Sequence, residues 1–430
     1  MKNYFGKSQI LGKHLISPRV PVVLVATACW VGQAMAVSAG NPGSALPTRF
    51  MPPPADVVLS ASVHAVDAGA SLLRTLDQAW RRNPQDQNAA LAYARAVFLI
   101  GLTEGDLRWY GSAKAALQPW WTATALPADG HFLRGLVKQG FHDFAGGLAD
   151  ISQAIALDEA RPEFWSWRFA LHLLISDLDA ARQDCAAIGR LFGADELAVC
   201  QAILQYRSGQ ASVAAARFKQ IVTLPGFAGP LAQDWLRLHW GEALRTAGQH
   251  DQATDVWQAH LARRPAAHPI RLALAELLNA RGRHAEARTV ARVPNPSDAL
   301  LVQSLLASQA LKDGDTDRLA AQVAARFDNQ ALRQEALIER PQMVYLIQYG
   351  RDPQAGLALA TANWRDQQEP ADAVLLLEAA LLTNQPKAGA AVLDWMRKTG
   401  YTEPTLAGLA QRVRAHSQGQ EHKQKQEGGK

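Results

Sequence analysis

The stretch DWLRLHWGEALRTAGQHDQATDVWQAHLARRP, which is residues 234–265, decides the fold class. Apolar residues recur every three or four positions on both sides of Gly248, which is typical of two amphipathic helices joined by a turn. Gly241 stands in the first predicted helix, and Ala253 and Trp257 stand in the second. Because small side chains allow two helix backbones to cross closely, the stretch predicts an antiparallel helical hairpin.

The hairpin pattern returns along the chain at a regular spacing. Residues 144–154 and 178–188 align so that matched positions, such as Ile151 and Cys185, lie 34 residues apart. Weaker copies contain Ala202, Gly209 and Ala214; Ala275, Gly282 and Ala287; Ala307 and Gly314; Gly350 and Ala355; and Asn384 and Ala388. Strand-like alternation is scarce, so we expect an all-α array of about eight or nine hairpins, each burying its apolar faces against its neighbours.

The unit at residues 234–265 resembles the tetratricopeptide repeat. Gly241, Gly248, Ala253, Trp257 and Pro265 stand where that family has a small residue, the turn glycine, alanine, an aromatic residue and proline. The resemblance implies a right-handed superhelical α-solenoid of antiparallel helix pairs. It also implies that the first helix of each pair lines a concave groove that binds a peptide or a partner protein.

The resemblance also indicates which residues line that groove. The family's groove positions fall here on Glu163, Ser166, Tyr206, Arg207, Trp235, Glu242, Arg245, Glu276 and Asn279. Some family members hold a partner's terminal carboxylate with basic residues, but Glu242 and Glu276 occupy matching positions and would repel one. The alternative for each of these residues is an ordinary solvated helix face.

The first 36 residues have the pattern of a secretory signal peptide. Basic residues up to Arg19 precede the apolar run 20–31, and Ala34 and Ala36 form a small-x-small cleavage site. The apolar run is too short to span a bilayer as a helix. We therefore expect a periplasmic or secreted protein. The alternatives are an uncleaved leader that anchors the chain, or acylation of Cys29, and both would give peripheral membrane association.

The charge balance argues against a nucleic-acid partner. The formal net charge is +5, but four basic residues and no acidic residue lie in the leader. Without the leader, 40 basic residues face 39 acidic ones. A nearly neutral mature chain does not predict phosphate-driven binding.

The sequence contains no recognisable catalytic or cofactor-binding motif. The patterns HExxH, GxSxG, GxxxxGK[ST] and a strand-linked GxGxxG are all missing. Cys185 and Cys200 can pair in an oxidising compartment, or they can be two buried thiols. They have no CxxC spacing and no nearby pair of histidines, so we expect neither a metal nor a cofactor.

The chain divides by composition into five segments. We expect a signal peptide at 1–36, a flexible Pro-, Gly- and Ala-rich lead-in at 37–66, degenerate hairpins at 67–126, the solenoid at 127–413 and a disordered polar tail at 414–430.

The function expected from these features is a non-enzymatic scaffold or adaptor of the bacterial cell envelope that holds a peptide or partner protein. The alternative is a solenoid-framed enzyme or glycan-binding protein of envelope polysaccharide or peptidoglycan metabolism. That alternative would need a catalytic region, for which the sequence gives no signal.

Overall fold

The structure, a computed structural model, describes residues 62–104, 107–294, 296–332 and 340–427. In these ranges it contains twenty α-helices and no strands. The predicted signal peptide and most of the predicted lead-in lie outside the described residues. The fold is an all-α solenoid of antiparallel helix pairs, which confirms the predicted fold class.

Nine consecutive helix pairs make up the body of the described chain. The first helices of the pairs are α2 (Gln87–Glu104), α4 (Ala128–Gly140), α6 (Pro162–Leu174), α8 (Ala194–Arg207), α10 (Pro230–Thr246), α12 (His268–Ala280), α14 (Asp298–Leu311), α16 (Arg340–Ile347) and α18 (Pro370–Leu382). The second helices are α3 (Leu107–Leu117), α5 (Phe144–Leu157), α7 (Leu178–Phe192), α9 (Ala211–Ile221), α11 (His250–Leu261), α13 (His284–Ala291), α15 (Thr316–Leu332), α17 (Pro353–Asp366) and α19 (Ala390–Thr399). Helix α1 (Ser62–Arg82) precedes the first pair, and α20 (Pro404–Glu427) follows the last.

Small residues stand where the two helices of a pair cross, as the sequence predicts. In the α4–α5 pair, a Cβ added to Gly135 would lie 2.8 Å from Ile151 Cγ1 and 2.9 Å from the Gly147 carbonyl oxygen. In the α10–α11 pair, a Cβ added to Gly241 would overlap the indole of Trp257. Neither position has room for a larger side chain, so close packing of each pair depends on these glycines.

The turn inside each of the eight pairs from α4–α5 to α18–α19 contains one residue with positive φ. These residues are His142, Ser176, Gly209, Gly248, Gly282, Lys312, Gly350 and Asn384. In three of the turns an aspartate follows and caps the second helix; Asp143 Oδ1, for example, accepts a hydrogen bond of 2.9 Å from the Gly146 backbone NH. The repeat pattern predicts one turn at Gly314, whereas the left-handed residue of that turn is Lys312.

The boundaries at both ends differ from the sequence-based expectations. Helix α1 begins at Ser62, inside the predicted lead-in at 37–66. The predicted disordered tail at 414–430 is helical as far as Glu427, because α20 continues past its packed first half. Leu406 and Val413 of α20 are fully buried, and a Gln420 side-chain amide donates to the Asn384 carbonyl oxygen at 3.1 Å. Gln, Glu and Lys are good helix formers, so a polar sequence continues a helix once packing has started it.

Candidate functional site

The solenoid curves until its C-terminal pairs meet the turns of its middle pairs. The backbone NH of Gln368, just before α18, donates to the Leu174 carbonyl oxygen at the end of α6, at 2.9 Å. The indole NH of Trp395 in α19 donates to Ser176 Oγ at 2.6 Å. These bonds join residues that are about two hundred positions apart in the sequence, so the described chain closes on itself.

Two further middle turns make the same kind of contact. Gly209 packs against the backbone of Gly400 so closely that a Cβ at position 209 would overlap the Gly400 carbonyl oxygen. Thr246 Oγ1 lies 3.4 Å from the hydroxyl oxygen of Tyr401. We call this set of contacts the closing interface; its residues are Leu174, Ser176, Arg207, Gly209, Arg245 and Thr246 on one side and Gln368, Glu369, Trp395, Gly400, Tyr401 and Glu403 on the other.

Two arginines at the ends of first helices form ion pairs across the closing interface. Arg207 Nη1 of α8 lies 3.2 Å from Glu369 Oε1, and its Nη2 donates to the Leu173 carbonyl oxygen at 3.0 Å. Arg245 of α10 lies 2.7 Å from Glu403 and 2.8 Å from Glu242. Nearby carboxylates keep both guanidinium groups charged despite their burial.

The closed turn surrounds a central pocket of about 160 Å³. First helices of six consecutive pairs, α8 to α18, line it, together with Tyr401. The apolar part of the lining includes Leu272, Ala273, Val302 and Val344. The charged part consists of Arg207, Arg245, Arg340, Glu242, Glu276 and Glu369. The pocket is therefore a mixed apolar and charged site on the inner face of the solenoid.

The three pocket arginines all have carboxylate partners. The pairs of Arg207 and Arg245 belong to the closing interface, and Arg340 lies 3.0 Å from Asp372 and 3.4 Å from Glu369. Asp372 is buried, and burial raises the pKa of its carboxyl to about 6 although Arg340 opposes the rise. The pocket's positive charges are thus held by the protein's own acidic groups.

Glu276 of α12 differs from the other charged residues of the pocket. Its side chain is exposed toward the pocket, and it makes no hydrogen bond or ion pair with any other residue that the structure describes. Partial desolvation by the surrounding protein raises the pKa of this carboxyl to about 7; Arg340 and Arg245 oppose the rise, and Glu242 adds to it. Glu276 is therefore a carboxyl group with a raised pKa that faces the pocket and has no partner among the described residues.

Beside the charged residues, the pocket wall contains a neutral hydrogen-bonded pair. The Tyr206 hydroxyl oxygen lies 2.8 Å from His239 Nδ1, and the Trp235 ring packs edge-on against the imidazole with centroids 4.3 Å apart. Burial lowers the pKa of His239 to about 3 and raises that of Tyr206, so both groups are uncharged at neutral pH. This pair gives the pocket a rigid polar wall without adding charge.

The nine residues predicted to line the groove fall into two sets. Five of them lie together in the pocket: Tyr206, Arg207, Glu242, Arg245 and Glu276. The other four lie elsewhere: Glu163 near Arg95 and Arg161, Ser166 with its hydroxyl bonded to the Pro162 carbonyl oxygen, Trp235 against His239, and Asn279 bonded to Gln303. Ser166 is only 1 % exposed, so it belongs to the helix packing and not to an accessible groove.

The repeat pattern did not predict the charged and aromatic residues at the C-terminal end of the pocket lining, namely Arg340, Glu369 and Tyr401. Glu369 directly precedes α18, and Tyr401 lies in the loop before α20. Neither position belongs to the repeating groove positions, so the repeat pattern contains no signal for them. Glu369 and Tyr401 reach the pocket because the solenoid closes.

Cys185 and Cys200 form a disulfide in the structure and join α7 to α8. Both residues are buried, so the bond lies inside the packing of two successive pairs. No cluster of His, Cys, Asp or Glu suited to a metal ion occurs in the part of the chain that the structure describes. Among the same residues, no helix is both long and apolar enough to cross a membrane.

Comparison with known proteins gives structural likeness only. No family model matches the chain, and no curated protein matches it. Among solved structures, yeast Tom70 is 10 % identical, with 94 % of this chain and 70 % of that chain covered and a TM-score of 0.36. The P58(IPK) TPR domain and the APC/C hetero-tetramer Cut9–Hcn1 are each 12 % identical. The match to the P58(IPK) TPR domain covers 85 % of this chain and 96 % of that chain, with a TM-score of 0.20. The match to Cut9–Hcn1 covers 83 % of this chain and 94 % of that chain, with a TM-score of 0.22. At this identity and overlap the likeness gives no information on ligand or partner.

Proposed function

We propose that this protein is a non-enzymatic scaffold that holds a peptide or a partner protein through the inner face of its closed solenoid. The observation that carries the proposal is the central pocket, which the first helices of six consecutive pairs build together. Solenoids use their inner surfaces for binding because each repeat contributes side chains to one continuous wall. The binding residues in this proposal are Glu242 and Glu276, with Tyr206, Arg207 and Arg245 forming the wall.

We place the scaffold in the cell envelope. The predicted signal peptide at 1–36 supports export, and the disulfide between Cys185 and Cys200 suits an oxidising compartment. Cell fractionation with an antibody against the solenoid tests this placement. A soluble periplasmic or secreted form shorter by about 36 residues supports it, whereas a full-length cytoplasmic form contradicts it.

The scaffold proposal is tested by filling the pocket and recording which proteins are lost. Ala371 lines the pocket as the second residue of α18, and Ala285 is exposed as the second residue of α13. We expect in-cell crosslinking of the tagged wild type and of Ala285→Phe to enrich the same protein, and Ala371→Phe to lose it. Enrichment of no protein, or equal enrichment from all three chains, would contradict the proposal.

The second candidate is a solenoid-framed enzyme or glycan-binding protein, and Glu276 is the observation that favours it. A carboxyl with a pKa of about 7 in a pocket is suited to general acid–base work. The test is hydrolysis of purified peptidoglycan and envelope polysaccharide by the wild type and by Glu276→Gln. Turnover that is lost in Glu276→Gln would favour the enzyme, and the absence of turnover from both would favour the scaffold.

A further inference from the structure

The charges around the central pocket are unbalanced in favour of acidic groups. Among the described residues, three arginines (Arg207, Arg245 and Arg340) and three glutamates (Glu242, Glu276 and Glu369) line the pocket. Asp372 and Glu403 do not line it, but they add two more carboxylates through their ion pairs with Arg340 and Arg245. Four of the carboxylates bond the arginines, and the fifth, Glu276, has no partner among the described residues. An anionic ligand would find every pocket arginine occupied and would meet an excess of negative charge.

The shape of the pocket limits the size of the group that can enter. A volume of about 160 Å³ is close to that of an engineered cavity, about 150 Å³, which accepts one benzene molecule. One long side chain or one small molecule fits into this volume. The walls beside Glu276 include Leu272, Ala273 and Val302, which can pack against methylene groups.

From this arrangement we infer that the pocket binds a cationic group on an apolar stem, with Glu276 as its counter-ion. The matching chemistry is a primary ammonium or a guanidinium on three or four methylenes, as in a lysine or arginine side chain of a bound peptide. The cation would contact the Glu276 carboxylate, and the stem would lie along Leu272, Ala273 and Val302. This inference rests on the proposed function, since it names the chemistry that the scaffold would recognise.

The inference is tested with small probes on the full mature protein at pH 8, where Glu276 is ionised. The probes are n-butylammonium, n-butylguanidinium and, as the acidic control of similar length, n-butyrate, each titrated by saturation-transfer NMR. The variants are Glu276→Gln and the matched control Glu378→Gln, which alters a carboxyl of α18 that bonds Gln348 outside the pocket. Thermal unfolding of both variants verifies that they remain folded.

We expect one or both cations to bind the wild type and butyrate not to bind. A charged hydrogen bond contributes about 1.5–3 kcal/mol, so Glu276→Gln should weaken cation binding at least about tenfold. Glu378→Gln should change it less than about twofold. Stronger binding of one cation distinguishes an ammonium site from a guanidinium site.

Binding of butyrate in preference to the cations, or unchanged cation binding by Glu276→Gln, would overturn the inference. Absence of binding by every probe would also overturn it. If Ala371→Phe still loses a partner in that case, the scaffold proposal stands without the cation site. If no partner is lost either, both proposals fail.

Discussion

At the scale of single residues, Gly241 and Trp257 show how the sequence builds one pair. The Trp257 ring is fully buried, and its indole NH donates to the Arg237 carbonyl oxygen of α10 at 3.1 Å. The ring occupies the space that a Cβ of residue 241 would need. The sequence predicted this contact, because a small residue in the first helix and an aromatic residue in the second recur at fixed places.

We therefore predict that Gly241→Ala destabilises the protein. Forcing a methyl group into a packed crossing costs about 1–3 kcal/mol, because Trp257 or the helix backbone must shift. The measurement is urea unfolding followed by circular dichroism. The control is Gly111→Ala in α3, where a Cβ meets nothing within 4 Å, and which should raise stability by about 0.5–1 kcal/mol. Equal effects of the two changes would contradict the assigned packing.

Glu276 gives a second prediction at this scale. Its pKa is raised to about 7, so the folded chain binds a proton more tightly than the unfolded chain. The stability from this group is fully present below the ordinary Glu pKa of about 4.3 and is lost as the pH rises through about 7. The charged groups near it are Glu242 and Arg245 of α10 and Arg340 of α16. Glu276→Gln should therefore match the wild type at pH 4 and be more stable at pH 8.

Thermal unfolding at the two pH values measures this difference. The control is Glu286→Gln, because a hydrogen bond from Arg283 lowers the pKa of this surface carboxyl. That variant should gain no stability as the pH rises. If Glu276→Gln showed the same small change at both pH values, the pocket would not raise the pKa of Glu276.

At the scale of helices, α20 closes the C-terminal end of the array. Its first half buries Leu406, Leu409, Ala410 and Val413. Beyond Val413, residues 414–416, 418, 419 and 422 are exposed, and the side-chain amide of Gln420 bonds the Asn384 carbonyl oxygen. The sequence predicted the apolar first half as part of the solenoid. It did not predict the helical second half. A polar composition indicates that a segment does not pack into a core, but it does not exclude a helix, because Gln, Glu and Lys are good helix formers.

Two truncations separate the contributions of these halves. Removing residues 418–430 leaves the buried residues Leu406, Leu409, Ala410 and Val413 in place, and it should change the free energy of unfolding by less than about 1 kcal/mol. Removing residues 404–430 exposes the end of the core, and each buried Leu or Val contributes about 1.5–3 kcal/mol. We expect the shorter chain to unfold at clearly lower urea or to aggregate. Similar stability of the two truncated chains would show that α20 is not a capping helix.

At the scale of the whole molecule, the sequence predicts the approximate number of helix pairs but does not predict that the solenoid closes. The repeat is local, so a 34-residue pattern is sufficient to predict about eight or nine pairs, and the described chain contains nine. Closure depends on small rotations that add up over many pairs, and on contacts such as Arg207–Glu369 between distant residues. For this reason five of the groove residues were predicted, whereas Arg340, Glu369 and Tyr401 were not.

Closure of the solenoid around the pocket can be tested by zero-length crosslinking. Arg245 lies 2.7 Å from Glu403 across the closing interface and 2.8 Å from Glu242 on its own helix. In an Arg245→Lys variant, carbodiimide should link the lysine to both carboxylates within monomeric protein, as read by peptide mass spectrometry. The link to Glu242 shows that the lysine reacts. A link to Glu403 as well is the predicted result, whereas a link to Glu242 alone would mean that the solenoid is open.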